Sequence, residues 1–279
     1  MKKFIGLYLV ANLIMLPKVI AGDCTITSGV VTFPDSDSCS MQPDSYAIKM
    51  YEMYFCTGQP PSPTASSATD LSNCSIVFDG GTGSTITMTG TGNAGTFSGA
   101  TFTRPPNGTY TYGYMLIDNV FTIKVDKQFN KSLNGSSSGS GAYCATIAGS
   151  ANEQTGGSSI CSSSDNLTAG AWGSILTSFG GAASASYQVT AENLNGTGAN
   201  IEGNLVDTDG YLVTSRSDVD KLVGIQSFAS PVVITPELSS INVAFGISEG
   251  TTIWETSTSD EIEIGSGPFQ AVITAVNFN

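Results

Sequence analysis

The chain has 279 residues, of which 40% are hydrophobic and only 12% charged, with 23 acidic side chains against 10 basic ones and no histidine. The lack of histidine excludes the serine and cysteine triads that use an imidazole base, histidine-ligated zinc and histidine acid–base catalysis. A net charge of −13 repels phosphate backbones and anionic lipid, so nucleic acid and membrane-surface partners are disfavoured.

Residues 1–21 read as a secretory signal peptide. Lys2 and Lys3 precede an apolar run from Phe4 to Pro17, and Val19-Ile20-Ala21-Gly22 presents small residues for cleavage after Ala21. The run is shorter than the roughly 20 residues a bilayer core needs and Lys18 closes it, so no transmembrane anchor is expected. Acylation is not expected either, because Asp23, not a small residue, precedes Cys24. The Lys-Lys start suits a bacterial export signal, which places the protein in the periplasm, on the outer surface or outside the cell. Cleavage removes three lysines and leaves 7 basic against 23 acidic residues, a net charge of −16. Abundant Gly, Ser and Thr dilute that acidity into an uncharged polar surface typical of extracellular β proteins.

Six cysteines follow the leader: Cys24, Cys39, Cys56, Cys74, Cys144 and Cys161. They contain no Cys-x-x-Cys pair, so they imply a disulfide frame in an oxidising compartment and not a zinc site or a nucleophile. Nearest-neighbour pairing would close loops of about 15 residues, each stabilising by about 3 kcal/mol. Six cysteines allow many other connectivities, so spacing leaves the pairing open.

In chain order, Tyr46 to Phe55 is apolar on both alternating faces apart from Lys49 and Glu52, as a strand central to a sandwich requires. Ser75–Asp79 and Ser84–Thr89 flank Gly80-Gly81-Thr82-Gly83, which reads as a hairpin by turn chemistry. Thr109 to Asp126 reads as a second hairpin turning at Asp118-Asn119. Pairing Ile117 with Val120 would bring Tyr112, Tyr114 and Leu116 onto one face with Phe121, Ile123 and Val125. Residues 129–185 carry Gly/Ser runs such as 135–141 and 180–184, which predict a loop-rich linker or excursion pinned by Cys144 and Cys161, with a short helix near 168–179. Strand patterns resume at 187–192, 200–206, 211–214, 222–228, 241–247, 252–255, 261–264 and 269–278. The expected class is therefore all-β: disulfide-braced antiparallel β-sandwich structure, with an N-terminal region 22–128, the excursion 129–185 and a C-terminal region 186–279.

The segment Phe102-Thr103-Arg104-Pro105-Pro106-Asn107-Gly108-Thr109-Tyr110-Thr111-Tyr112 resembles the Pro-x-Gly-x-Tyr strand opening of prealbumin-like modules in bacterial surface proteins. These include carboxypeptidase-regulatory-like and collagen-adhesin B-type domains. The resemblance covers about residues 102–126 and implies a stalk or adhesion module without catalysis.

Carboxylates carry whatever chemistry the chain has. Val206-Asp207-Thr208-Asp209-Gly210-Tyr211 is similar to the Asp-Thr-Gly signature of aspartic proteases, but Asp209 interrupts it and no second copy exists. A hairpin turn is the leading reading, with Asp207 and Asp209 as candidate calcium ligands. Asp260, Glu261 and Glu263, with Trp254 and Glu255 upstream, form the densest acidic cluster and the candidate for a glycosidase pair or a sugar platform. The competing reading is a solvated hairpin with Ile262 and Ile264 inward and Glu261 and Glu263 outward. Asn-x-Ser/Thr sequons at Asn73, Asn107, Asn130, Asn134, Asn166 and Asn195 are of the kind chance supplies in so Ser/Thr-rich a chain.

The sequence thus predicts an exported, non-enzymatic surface or envelope protein: an adhesin, filament or structural subunit whose partners are other subunits or an extracellular glycan. Self-assembly through the final strand, with Phe278 as its penultimate residue, is part of that expectation. The alternatives are a carbohydrate- or calcium-binding module and a carboxylate-dependent hydrolase. No cofactor other than calcium is implied.

Overall fold

The computed structural model describes residues 22–34, 38–89, 99–152, 156–179, 185–191, 200–256 and 258–277. The expected signal peptide, the run 180–184, Glu192, the sequon at Asn195, Phe278 and Asn279 lie outside the described residues. The chain is all-β. Its strands are β1 (Gly22–Asp23), β2 (Thr25–Thr27), β3 (Val30–Thr32), β4 (Ser38–Met41), β5 (Ser45–Cys56), β6 (Cys74–Met88) and β7 (Thr101–Phe102). Then come β8 (Gly108–Asp118), β9 (Val120–Lys124), β10 (Asp126–Gly135), β11 (Ser140–Thr146), β12 (Gly149–Asn152), β13 (Ser159–Ser162) and β14 (Trp172–Ile175). The last are β15 (Gln188–Ala191), β16 (Ile201–Val206), β17 (Lys221–Ile234), β18 (Leu238–Gly246), β19 (Thr251–Glu255), β20 (Glu261–Ser266) and β21 (Gln270–Asn277). Arg216–Asp218 forms one 3-10 turn, capped by the Ser215 side chain. Among the described residues no helix is long and apolar enough to cross a membrane.

The larger sheet is organised on β5. Its alternation puts Tyr46, Ile48, Met50, Met53 and Phe55 into the main core. β6 runs antiparallel along one whole edge of β5, from Tyr46↔Met88 to Cys56↔Cys74. The other edge is shared end to end: β8 pairs with Met50 to Cys56, and β9 with Ser45 to Ala47. Both predicted hairpins are corrected by these registers. β6 is a single strand in which Gly80–Gly83 bulge outward between the pairs Met50↔Ser84 and Glu52↔Asp79. Ile117 does not pair with Val120, because β8 and β9 continue in one direction along β5 and Asp118-Asn119 is a kink between them. Turn-forming residues mark where each chain leaves regular extension, but the long partner strand keeps it from reversing.

Beyond β8 lie β17, β16 and β15, and beyond β9 lie β14 and β12. The helix expected near 168–179 is instead β14, antiparallel to β9 with Trp172 opposite Ile123; Trp172 is buried in the core, and that tertiary contact overrides local helical preference. Residues 129–185, expected to be loop-rich, supply most of β10 and all of β11–β14 to both sheets.

The second sheet runs β1-β4-β19-β20-β10-β11-β13, with β2 and β3 attached through β3 to β10. The chain passes between the sheets at Val125, whose N–H donates to Thr146 Oγ1 at 3.1 Å while the Thr146 N–H donates back to its carbonyl at 2.9 Å. Such crossings produce parallel neighbours, so the sheets are mixed and not purely antiparallel: β1 with β4, β3 and β20 with β10, and β12 with β14. The main core lies between the sheets, with Val31, Phe129, Leu133, Ile253, Ile262 and Ile264 facing the β5 side chains. β18 and β21 form a separate two-stranded ribbon.

All three disulfides join nearest neighbours: Cys24–Cys39, Cys56–Cys74 and Cys144–Cys161. The last two link directly opposed residues, Cys56↔Cys74 across β5 and β6 and Cys144↔Cys161 across β11 and β13.

Candidate functional site

The Asp-Thr-Asp-Gly segment forms a tight turn. Asp207 Oδ1 accepts the N–H groups of Asp209 and Tyr211, each at 2.9 Å, and Gly210 adopts φ +80°. Val206 and Leu212 bridge antiparallel across it, so 211–214 is the return arm of the turn and not a full strand. One oxygen of Asp207 is thus committed to holding its own loop. Among the described residues, no group of three or more metal-ligating side chains is placed to hold an ion.

The acidic cluster near Trp254 is dispersed by its partners. Asp260, with φ +58°, pairs with Lys131 at 2.9 Å. Its N–H donates to Glu255, and Thr256 Oγ1 donates to Glu261 at 2.8 Å. Ile262 and Ile264 face the core as expected. Glu263, expected to face water, is 8% exposed. Residues 156–158 cover the outer face of β20 there, with the Gly157 N–H and the Ser158 hydroxyl donating to its carboxylate at 2.9 and 2.8 Å. Ser158 Oγ also accepts the Ile264 N–H at 2.7 Å. A Cβ on Gly156, which has φ +57°, would lie 2.2 Å from Glu263 Oε1, so glycine is required for this approach. Trp254 stands opposite Glu263 in the ladder and lies over Gly265. The arrangement is a buried carboxylate clamping a loop to a strand.

A third group of carboxylates surrounds the Val125 crossing. Asp44 accepts the Asp126 N–H and pairs with Lys127. Burial, then the charges of Asp165 and Asp44, push the Asp126 carboxyl up.

Sequence reasoning did not single out the outer face of the larger sheet. Tyr112, Tyr114 and Leu116 do not share a face with Phe121, Ile123 and Val125. They join Cys56, Val206, Val223 and Ile225 in a second, smaller cluster, with Tyr54, Leu71 and Cys74 against it. The Pro-rich segment 57–73 is tied at its base by the Cys56–Cys74 bond and the Thr57 N–H to Asn73 carbonyl bond, and farther out by the Leu212 N–H to Thr64 carbonyl bond. The rim is polar: Tyr54 donates to Glu52 at 3.2 Å, and Gln188, Glu202 and Asn204 bond one another at 2.7–3.1 Å. Burial, then Glu52, pushes the Tyr54 phenol up to about 12. Glu52 and Asn204 end one register row, Glu52↔Leu116↔Val223↔Asn204, so three strand spacings, about 14 Å, separate Glu52 from the strand bearing Glu202. Paired glycosidase carboxylates stand roughly 5–10 Å apart. The sequence signal for this face is the even-numbered alternation through β8, which the expected hairpin places on one face with Phe121, Ile123 and Val125.

Compared with known proteins, the chain matches no family model, no curated protein and no solved structure.

Proposed function

We propose that the chain is an exported, non-enzymatic β-sandwich protein serving as a structural or adhesive subunit of the cell surface or envelope. The observation that carries this reading is the fate of five of the six carboxylates left as chemical candidates, all but Asp209. Glu255, Glu261, Glu263, Asp207 and Asp260 each hold a backbone amide, a hydroxyl or a lysine of the chain itself. The three disulfides support an oxidising destination, and the stretch similar to prealbumin-like modules agrees with a stalk or adhesion role.

Expressed in a bacterium with residues 1–21 in place, the protein is expected in the extracytoplasmic fraction with its cysteines oxidised. Retention in the cytosol as a reduced chain would overturn the reading. The purified protein is expected to leave polysaccharides and acid-protease substrates intact. Turnover that disappears in Glu263→Gln or Asp207→Asn would make it a hydrolase instead.

A further inference from the structure

The large sheets end in short strands. β1 and β7 have 2 residues, and β12, β13 and β15 have 4, a length that gives another chain little to pair with. The outer edge of the longer β6 is met by β7 at Phe78 and Asp79 and then broken by the Gly80–Gly83 bulge. β18 and β21 are less protected, their ladder being irregular between Leu238 and Ser240 and regular from Ser240↔Val276 to Gly246↔Gln270. They are 9 and 8 residues long and, among the described residues, pair only with each other. Neither 238–246 nor 270–277 contains a charged residue or a proline, the two residue kinds that most often blunt an edge. β21 lies against β17, and among the described residues β18 has β21 as its one ladder partner. Phe245 seats the ribbon in the main core, while its hydrogen-bonded ladder stays at two strands and gains from a third. With 7 basic against 23 acidic residues after residues 1–21, copies of the exported chain repel one another over most of their surface, whereas this uncharged ribbon opposes no approach.

We infer that β18 is a self-association strand, pairing antiparallel with β18 of a second copy across a two-fold axis to give a continuous β21-β18-β18-β21 sheet. Centred on Asn242, the register sets Ile241 opposite Val243 and Ser240 opposite Ala244 of the other copy, with no charge opposed to charge. The pairing is isologous and closes on itself, so the product is a dimer and not an open fibre. This inference rests on the structural-subunit reading and gives it an assembly surface.

Sedimentation velocity of the disulfide-intact protein over a concentration series tests it. The wild type is expected to dimerise. Asn242→Lys sets two like charges together at the axis and should weaken dimerisation by about tenfold or more, with the circular dichroism spectrum unchanged. Mixing Asn242→Lys with Asn242→Glu should restore the dimer as a heteropair, which a misfolded variant could not do; Asn242→Glu alone, which sets two carboxylates together at the axis, replaces Asn242→Lys if that variant does not fold. A wild type that stays monomeric overturns the inference, and leaves the adhesive form of the functional reading to the export and turnover experiments. A dimer that Asn242→Lys leaves intact overturns the role of β18 and leaves a structural subunit with another interface.

Discussion

Tyr46 is 0% exposed in the main core and donates its hydroxyl to the Gly267 carbonyl at 3.2 Å. Burial pushes its phenol well above the ordinary tyrosine range, and burial followed by the charge of Glu52 does the same to Tyr114 and raises Tyr54 to about 12. A phenol whose folded pKa exceeds its unfolded value of about 10 adds stability that is complete below pH 10 and lost as pH rises through the folded value. Stability is therefore expected to fall above about pH 10, with phenolate absorbance from these three tyrosines appearing together with loss of the β circular dichroism signal. Tyr46→Phe should lose about 1 kcal/mol at neutral pH, through its hydrogen bond, and move the alkaline midpoint upward. Glu263 makes a second residue-scale case: Glu263→Ala leaves the Gly157 amide and the Ser158 hydroxyl without their acceptor, and urea unfolding should show a loss of about 2–3 kcal/mol. Alternation along β20 told correctly that Ile262 and Ile264 face inward. It could not tell that Glu263 is also buried, because the cover comes from residues more than 100 positions away.

At the scale of elements, turn chemistry located three irregularities and misjudged two of them, and it missed the register shifts between Gln128 and Leu133 and between Ser227 and Val232. Asp207–Tyr211 reverses the chain, whereas Gly80–Gly83 and Asp118-Asn119 only bulge or kink it. What separates them is the partner strand: β5 spans both irregular sites and holds the segments on either side in one direction. The close fit is visible at Gly80, where a Cβ would lie 2.5 Å from the Met50 carbonyl oxygen, and at Gly83, which has φ +103°. No local pattern reports the length of a strand 30 or more positions away. The Cys56–Cys74 bond shows the opposite case, in which local spacing was informative because the bond closes a loop between the end of one strand and the start of the next. Replacing both cysteines with alanine should cost about 3 kcal/mol and make segment 57–73 the first site of limited proteolysis, since the base of that loop then rests on hydrogen bonds alone: those between Thr57 and Asn73, Asn73 to Gly58 and Thr111 to Thr57. Unchanged proteolysis would mean that Leu71 and the Thr64–Leu212 contact suffice to seat the loop.

On the scale of the whole molecule, the class was legible because period-two alternation recurs along the chain, and the sheet membership was not, because alternation names a strand without naming its neighbours. β4 pairs with β19 through Cys39↔Ile253, β10 with β20 through Asn134↔Glu261, and β8 with β17 from Asp118↔Lys221 to Gly108↔Ile234. Each ladder joins the first half of the chain to the last third, and most of the stabilising contact forms only after a long loop has closed. A fragment of residues 22–128 would keep β5, β6, β8 and β9 but expose the 11-residue edge of β8 and the apolar core face of the larger sheet, which β10, β11, β19 and β20 normally cover. Such a fragment is expected to aggregate or to melt without a cooperative transition, whereas residues 22–279 should unfold in one step that circular dichroism and tryptophan fluorescence report at the same midpoint. Trp172 and Trp254 sit in different sheets, so fluorescence samples both. Two separate transitions in the intact chain, or a cooperatively folded 22–128 fragment, would show that the N-terminal strands hold together without the ladders that now bind them to the rest.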